Sequence, residues 1–351
     1  MLKIKYKIVS LLLYLLLATT ILAGCSNKQK DNEMSEEKKE SIKNIKDKVF
    51  EGFVKLVKDK RGTDIEEEIL NGNLIFAGKE KAMEYKLIDG AADYDEIGIN
   101  YREDTVSIED YISMSKEKKE KAKDTIAVIN LEGVIDGRNS KKSITYENVC
   151  DKLEILEKMK NLKGLVLRIN SPGGSALVSE KIYKKLKKLT VPIYVSMGDL
   201  CASGGYYIAT TGQKLFANNL TLTGSIGVVM MYPEVVETLK KLDVNLEGFE
   251  KGTGFDMLNP FEKLGEDSKE KIIYNMNEVY TEFKEHVMKA RGMNDEELEK
   301  IAQGRVWLGS EAKNINLVDE IGSLEECIKS MADDLKLDKY KVRIIELTQT
   351  I

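Results

Sequence analysis

The chain holds a single histidine in 351 residues. A Ser-His-Asp triad could draw only on His286, and a zinc site built on several histidines is excluded. His286 sits in "EVYTEFKEHVMKARG", where apolar residues recur at helical spacing, so its imidazole is expected at a surface or boundary position. Cysteine is scarce too: there are four, none in CxxC spacing. Apart from Cys25, the remaining Cys150, Cys201 and Cys327 are odd in number, which argues against a disulfide framework. Cys201 stands two residues before Ser203 but has no paired histidine to activate it, and reads as a small buried residue at a strand end. Basic residues are not in excess. The 54 basic and 59 acidic side chains leave a net charge of -5, with no polycationic footprint, so no nucleic acid is expected as a partner. Nothing in these counts calls for a metal or an organic cofactor.

What is present begins with the N-terminus. "MLKIKYK" is basic, "IVSLLLYLLLATTIL" is apolar but too short for a comfortable membrane span, and "LAGC" closes the run at Cys25. The succession resembles a bacterial lipoprotein signal, with small residues for a processing peptidase and the Cys25 thiol as the point of lipid attachment. The other reading is an uncleaved signal anchor. Both place residues 26 onward outside the cytoplasm, so the expected location is the extracytoplasmic face of the cell membrane, held there by a lipid anchor. Acyl chains contribute about 0.8 kcal/mol per buried methylene, so two or three of them would make a stable anchor.

The length allows two domains, or one with extensions, and 42% hydrophobic residues can fill a core. Residues 1–25 read as the signal, 26–41 as a charged tether, 42–118 as a helix-rich remnant of a first repeat, 120–335 as the main domain and 336–351 as a C-terminal segment. The remnant is inferred from internal likeness: Gly78, Ala82, Leu87 and Asp89 match Gly309, Ala312, Leu317 and Asp319 within one residue of slippage. Each set follows a long amphipathic helix ending in "KRG" or "ARG". From 124 to 260 strands and helices alternate. "DTIAVINLEGVI", "GLVLRIN", "VPIYVSMG", "KLFAN" and "GSIGVVMMY" read as strands, and helices are expected over 144–160, 175–188 and within "SGGYYIATTG". The fold class expected is α/β, with a largely parallel sheet covered by helices. Ligands in such sheets gather at the C-terminal ends of strands, where "NSPGG" and "CASGG" both fall.

A glycine pair at a strand end opens backbone conformations closed to other residues and leaves N–H groups free to point outward. In "NSPGGS", Pro172 holds Ser171 extended while Gly173 and Gly174 open the turn. In "CASGG", Ser203 stands at a helix start, where the Gly204 N–H favours developing negative charge. A serine between two sets of N–H donors suits acyl transfer, in which each donor aimed at a tetrahedral intermediate is worth about 3 kcal/mol of barrier. The plainer reading makes Ser203 an N-cap.

The blocks "RINSPGGSALVSEKIYKKL", "VPIYVSMGDLCASGGYYIA", "NLTLTGSIGVV" and "AQGRVWLGSEAKNINLVDEIG" resemble those of the signal peptide peptidase A (SppA) family of serine peptidases, in order and in spacing. The resemblance covers about 120 to 335. It implies a β-α-β superhelix of the Clp-protease and crotonase type, a Ser/Lys dyad, and oligomeric rings at the extracytoplasmic membrane face that degrade residual signal peptides. Carried onto this chain, the nucleophile falls on Ser203 and the oxyanion donors on Gly204, Gly173 and Gly174. Ser225 in "TGSIG" becomes the hydroxyl that orients the lysine. The chain departs from the family at the base. In "KGTGFDMLNPF" Phe255 stands where the lysine is expected and Lys251 lies four residues earlier. In duplicated relatives the lysine comes from the first repeat, which brings Lys28 and Lys30 into consideration; Lys251 is favoured by position.

The leading expectation is a membrane-anchored, homo-oligomeric serine endopeptidase that cuts apolar peptides. The alternative is a non-catalytic relative that keeps the peptide groove as a binding or assembly subunit. Crotonase-like chemistry on a thioester shares the oxyanion turns, but an exported protein would not meet coenzyme A.

Overall fold

The computed structural model describes residues 36–74, 79–90, 123–137, 143–232, 235–242 and 263–345. The chain divides into two compact units, Met1–Lys121 and Ala122–Ile351. The first contains α1 (Glu36–Arg61), α2 (Glu66–Leu70) and α3 (Lys79–Glu84). The second begins with β1 (Asp124–Glu132), β2 (Val134–Ile135), β3 (Ser143–Ile144), α4 (Tyr146–Glu157), β4 (Leu162–Ser171) and α5 (Ala176–Leu186). It continues through β5 (Ile193–Ala202), α6 (Gly204–Ala209), β6 (Lys214–Ala217), β7 (Leu222–Gly224), α7 (Val236–Lys241) and α8 (Glu266–Arg291). Last come α9 (Asp295–Glu299), β8 (Val306–Leu308), α10 (Gly309–Asn314), β9 (Glu320–Ile321), α11 (Leu324–Asp334) and β10 (Tyr340–Ile345).

The main sheet runs β10-β1-β4-β5-β6-β9, with every pairing on this path parallel. Alternation along each strand divides the core in two. Ala127, Ile129, Leu165, Leu167, Val195 and Met197 face the helices that include α4, α5 and α8. Ile126, Val128, Val166, Tyr194 and Phe216 face Cys327, Met331 and Ala332 of α11. Because both faces are covered, the central strands are apolar at consecutive positions rather than alternate ones. The helices begin where side chains can take up free amides: Thr145 accepts from Asn148 N–H ahead of α4, Ser175 from Val178 N–H ahead of α5, and Ser323 from Glu326 N–H ahead of α11.

Strand β5 forks. Tyr194–Ser196 pair with Lys214–Phe216 of β6, whereas Leu200–Ala202 pair with Leu222–Gly224 of β7. At the fork a Cβ on Gly198 would lie 2.7 Å from Asn170 Cβ, and Asn170 Oδ1 accepts the Leu200 N–H at 3.1 Å. Thr221 and Thr223 hydroxyls donate to the carbonyls of Gly198 and Cys201 at 2.7 and 2.6 Å. These bonds fix the second branch, which ends at Ala202, just before Ser203.

Two local readings change. Of "GSIGVVMMY", expected to be a strand, only Gly224 belongs to one; Ser225 takes φ 50° and residues 225–231 lie outside any strand, with Val229, Met230 and Met231 exposed. Hydrophobicity alone suggested pairing there, but β7 ends where the backbone turns left-handed. Residues 340–345, set apart by sequence as part of a C-terminal segment, form the edge strand β10, paired from Asp124↔Tyr340 to Ile129↔Ile345.

The internal likeness extends to hydrogen bonding. Helices α1 and α8 each span 26 residues and end in an arginine followed by a left-handed glycine, Gly62 at φ 68° and Gly292 at φ 65°. Arg61 Nε donates to the Lys86 carbonyl at 2.7 Å and its NH groups grip Asp89; Arg291 Nε donates to the Asn316 carbonyl at 2.7 Å and its NH groups grip Asp319. Leu87 N–H and Leu317 N–H close the matching turns onto the Ala82 and Ala312 carbonyls. Gly78 lies outside the described residues.

Candidate active site

Ser203 links β5 to α6 with φ 52° and ψ -123°, a conformation that side chains rarely take outside strained functional turns. The strain costs about 1–3 kcal/mol and must be held by its surroundings. The Ser203 N–H donates to the Gly224 carbonyl at 2.9 Å, and the Ser203 carbonyl accepts from Tyr207 N–H at 2.9 Å, so both ends of the residue are pinned. Its hydroxyl makes no capping bond, which sets aside the N-cap reading. A strained serine on a sharp strand-to-helix turn is the backbone arrangement of a nucleophile elbow. The small neighbours in "CASGG" were the sequence signal for it; the left-handed φ was not legible there.

The glycine turn after β4 lies against this serine. Gly173 has φ 97°, and a Cβ there would come within 2.7 Å of both Gly204 N and Ser203 Cβ. Gly174, at φ 147°, has no room for a Cβ because the Ile135 carbonyl oxygen would be 2.0 Å away. Ile135 N–H donates to Gly173 O and Ser175 N–H donates to Ile135 O, so β2 braces the turn. Gly173 N–H donates to Ser171 Oγ at 3.1 Å and is taken up within the turn. Among the described residues the Gly174 and Gly204 amides have no acceptor. They stand near one another, since a Cβ on Gly204 would lie 3.4 Å from Gly174 N. Two free amides beside this serine can receive an oxyanion.

Ser225 adjoins Ser203 across the β5/β7 pairing, and its N–H donates to the Arg305 carbonyl at 2.7 Å. It shares the unusual backbone, with φ 50° against 52° for Ser203. Cys25, Lys28, Lys30, Lys251 and Phe255 lie outside the described residues.

The residues that composition left as remote options fall elsewhere. Cys201 is buried, and that burial pushes its thiol far above the range where a thiolate forms at neutral pH. His286 packs between the rings of Tyr183 and Tyr207, with Nε2 3.2 Å from Glu180 Oε2, and among the described residues it has no hydrogen bond to Ser203. Tyr207 donates to the same carboxylate at 2.5 Å. Sequence reasoning missed this Glu180, Tyr207 and His286 group because its members come from three separate helices.

A family model for Clp protease matches residues 117–222, and one for Peptidase family S49 matches residues 185–338. Protease 4 of Haemophilus influenzae is 34% identical over 237 residues, covering 66% of this chain and 38% of that protein. The chloroplastic serine protease SPPA of Arabidopsis thaliana is 31% identical over 342 residues, covering 90% and 50%. A Synechocystis sp. protein named as a protease is 32% identical over 202 residues, covering 57% and 73%. A solved ClpP1 mutant from Listeria monocytogenes shares 17% identity at a TM-score of 0.40 over 57% of this chain and 94% of that one, a likeness too slight to argue from. The chain spans half or less of the length of the first two of these curated relatives. The Clp protease match spans both glycine turns, the S49 match includes the strained serine, and the Synechocystis relative is covered over 73% of its length, so the chain belongs to peptidase family S49.

Proposed function

We propose that the chain is a serine endopeptidase in which Ser203 Oγ attacks the carbonyl carbon of an extended, apolar peptide. The observation that carries this reading is the strained, half-buried Ser203 beside the unoccupied Gly174 and Gly204 amides. In the first step a neutral lysine amine takes the hydroxyl proton as the Oγ–C bond forms, and the carbonyl oxygen becomes an oxyanion received by those two N–H groups. The intermediate then collapses: the peptide C–N bond breaks, the lysine returns the proton to the leaving amine, and an acyl ester on Ser203 remains for water to hydrolyse. Ser225 is the hydroxyl assigned to orient the amine. Apolar side chains are exposed on the segments around the turn, with Val134 on β2, Leu177 at the start of α5, and Met231 beyond Ser225, in keeping with an apolar substrate. An Enterococcus faecium relative, 35% identical over 201 residues, carries a signal peptide peptidase name, which suggests residual signal peptides as the substrate class.

The base is assigned to Lys251, with Lys28 and Lys30 as the alternatives. Burial would lower a lysine pKa toward neutrality by penalising the ammonium, as a general base requires. Phe255 at the family's lysine position supports the second reading, a peptide-binding subunit without catalysis. Converting Lys251, Lys28 and Lys30 separately to methionine decides between them. Lys251→Met is expected to abolish peptide cleavage at every pH while the other two cleave normally; cleavage that survives all three changes overturns the lysine assignment.

The location follows from the N-terminus: Cys25 carries the lipid, and the chain works at the extracytoplasmic membrane face. Among the described residues no helix is long and apolar enough to cross a membrane. The α1–α3 unit is read as the tail of a first repeat, presenting to a neighbouring chain a surface that builds a homo-oligomer. One detergent preparation tests both ideas. Fatty-acid labelling is expected to vanish in Cys25→Ser, and the wild type to sediment as an oligomer; a labelled mutant refutes the anchor, and a micromolar monomer refutes the assembly.

A further inference from the structure

Helices α5, α6 and α8 meet at a group that the peptidase reading does not use. Glu282 and His286 are one turn apart on α8, and Glu180 reaches them from α5; one ligand atom from each lies within 4.8 Å of the others. Glu180 is nine-tenths buried, and its Oε1, shut off from solvent, is held by the Lys184 ammonium. Lys184 Nζ stands 2.5 Å from that oxygen and 3.8 Å from Glu282 Oε1, where a cation would sit. The other Glu180 oxygen accepts from Tyr207 and faces His286 Nε2.

We propose that Glu180, Glu282 and His286 form a binding site for one divalent transition-metal cation, with zinc as its representative. The donor set of two carboxylates and one imidazole suits such a cation, and the i, i+4 spacing on α8 presents two ligands on one face. Oxygen and nitrogen ligands about 2.0–2.2 Å from a tetrahedral metal lie about 3.3 Å apart, so small side-chain rotations close the cluster. The two carboxyl groups already crowd one another, with a ligand oxygen of each within 4.8 Å of the other. A cation would neutralise that crowding. Glu282 is 44% exposed, which gives an ion an entry path, and Lys184, 64% exposed, is free to swing into water. Its ammonium holds the place of the cation, so an incoming ion must displace it. Bound there, the metal would tie α8 to α5, which follows the Gly173–Gly174 turn, and through Tyr207 to α6, which follows Ser203.

The test is calorimetric titration of the full chain, stripped with chelator, with Zn2+ alone. One Zn2+ per chain is expected, with a higher melting temperature. His286→Gln and Glu282→Gln should each weaken binding by about tenfold or more. Lys184→Met, which removes the competing ammonium from an exposed position, should bind at least as tightly as the wild type. Because the chain has one histidine, the shift of its single imidazole NMR signal on Zn2+ addition reports the site directly. No saturable binding, full affinity in His286→Gln, weaker binding in Lys184→Met, or an unmoved imidazole signal overturns the proposal and leaves an ordinary ion-pair network.

Discussion

Ser203→Ala is expected to abolish peptide cleavage, by about a thousandfold or more, without lowering the melting temperature. The hydroxyl makes no capping bond, so its loss removes the proposed nucleophile and leaves the helix start as it was. Ser203→Gly separates strain from chemistry. Glycine takes φ 52° freely, which relieves about 1–3 kcal/mol of strain against about 0.5–1 kcal/mol of extra unfolded-state entropy. That variant should be as inactive as the alanine form and melt no lower than the wild type. An inactive protein that melts several degrees lower would mean that the serine serves the fold.

Gly173→Ala tests the other wall of the site. Its Cβ would press to 2.7 Å on Gly204 N and 2.9 Å on the Ala202 carbonyl, backbone atoms that cannot rotate away. The residue is also held at φ 97°, so the substitution strains the turn whichever atoms give way. Displacing a donor from an oxyanion lowers turnover by about 10²–10³-fold, and that loss should fall on kcat more than on KM. Gly137→Ala is the control: its Cβ meets only a Val178 methyl at 3.8 Å, and activity should be unchanged. Steady-state kinetics on one apolar peptide read out both. Full activity in Gly173→Ala would place the oxyanion elsewhere.

The sequence showed some of this plainly. Gly173 and Gly174 follow an apolar strand and precede a capped helix, a succession with few structural solutions, and "CASGG" repeats it one strand later. The two turns meet because β4 and β5 are parallel neighbours. Other features depend on partners that periodicity does not report. Residues 225–231 carry a strand's hydrophobicity, yet the backbone leaves the sheet at Ser225. Residues 340–345 become a strand by pairing with β1, more than 200 residues earlier in the chain. Arg291 and Asp319 could be matched to Arg61 and Asp89 by eye, but that the former arginine is buried and the latter more open is a matter of packing. The cluster at Glu180 was invisible for the same reason.

The central claim is that Ser203 is an activated nucleophile, and covalent labelling tests it most directly. The full chain is incubated at neutral pH with a fluorophosphonate, digested, and its peptides are mapped by mass spectrometry. The account predicts one stoichiometric adduct on Ser203, absent from the Ser203→Ala chain and from chain unfolded before labelling. Peptide cleavage without an adduct on Ser203, or an adduct on a different serine, would contradict it.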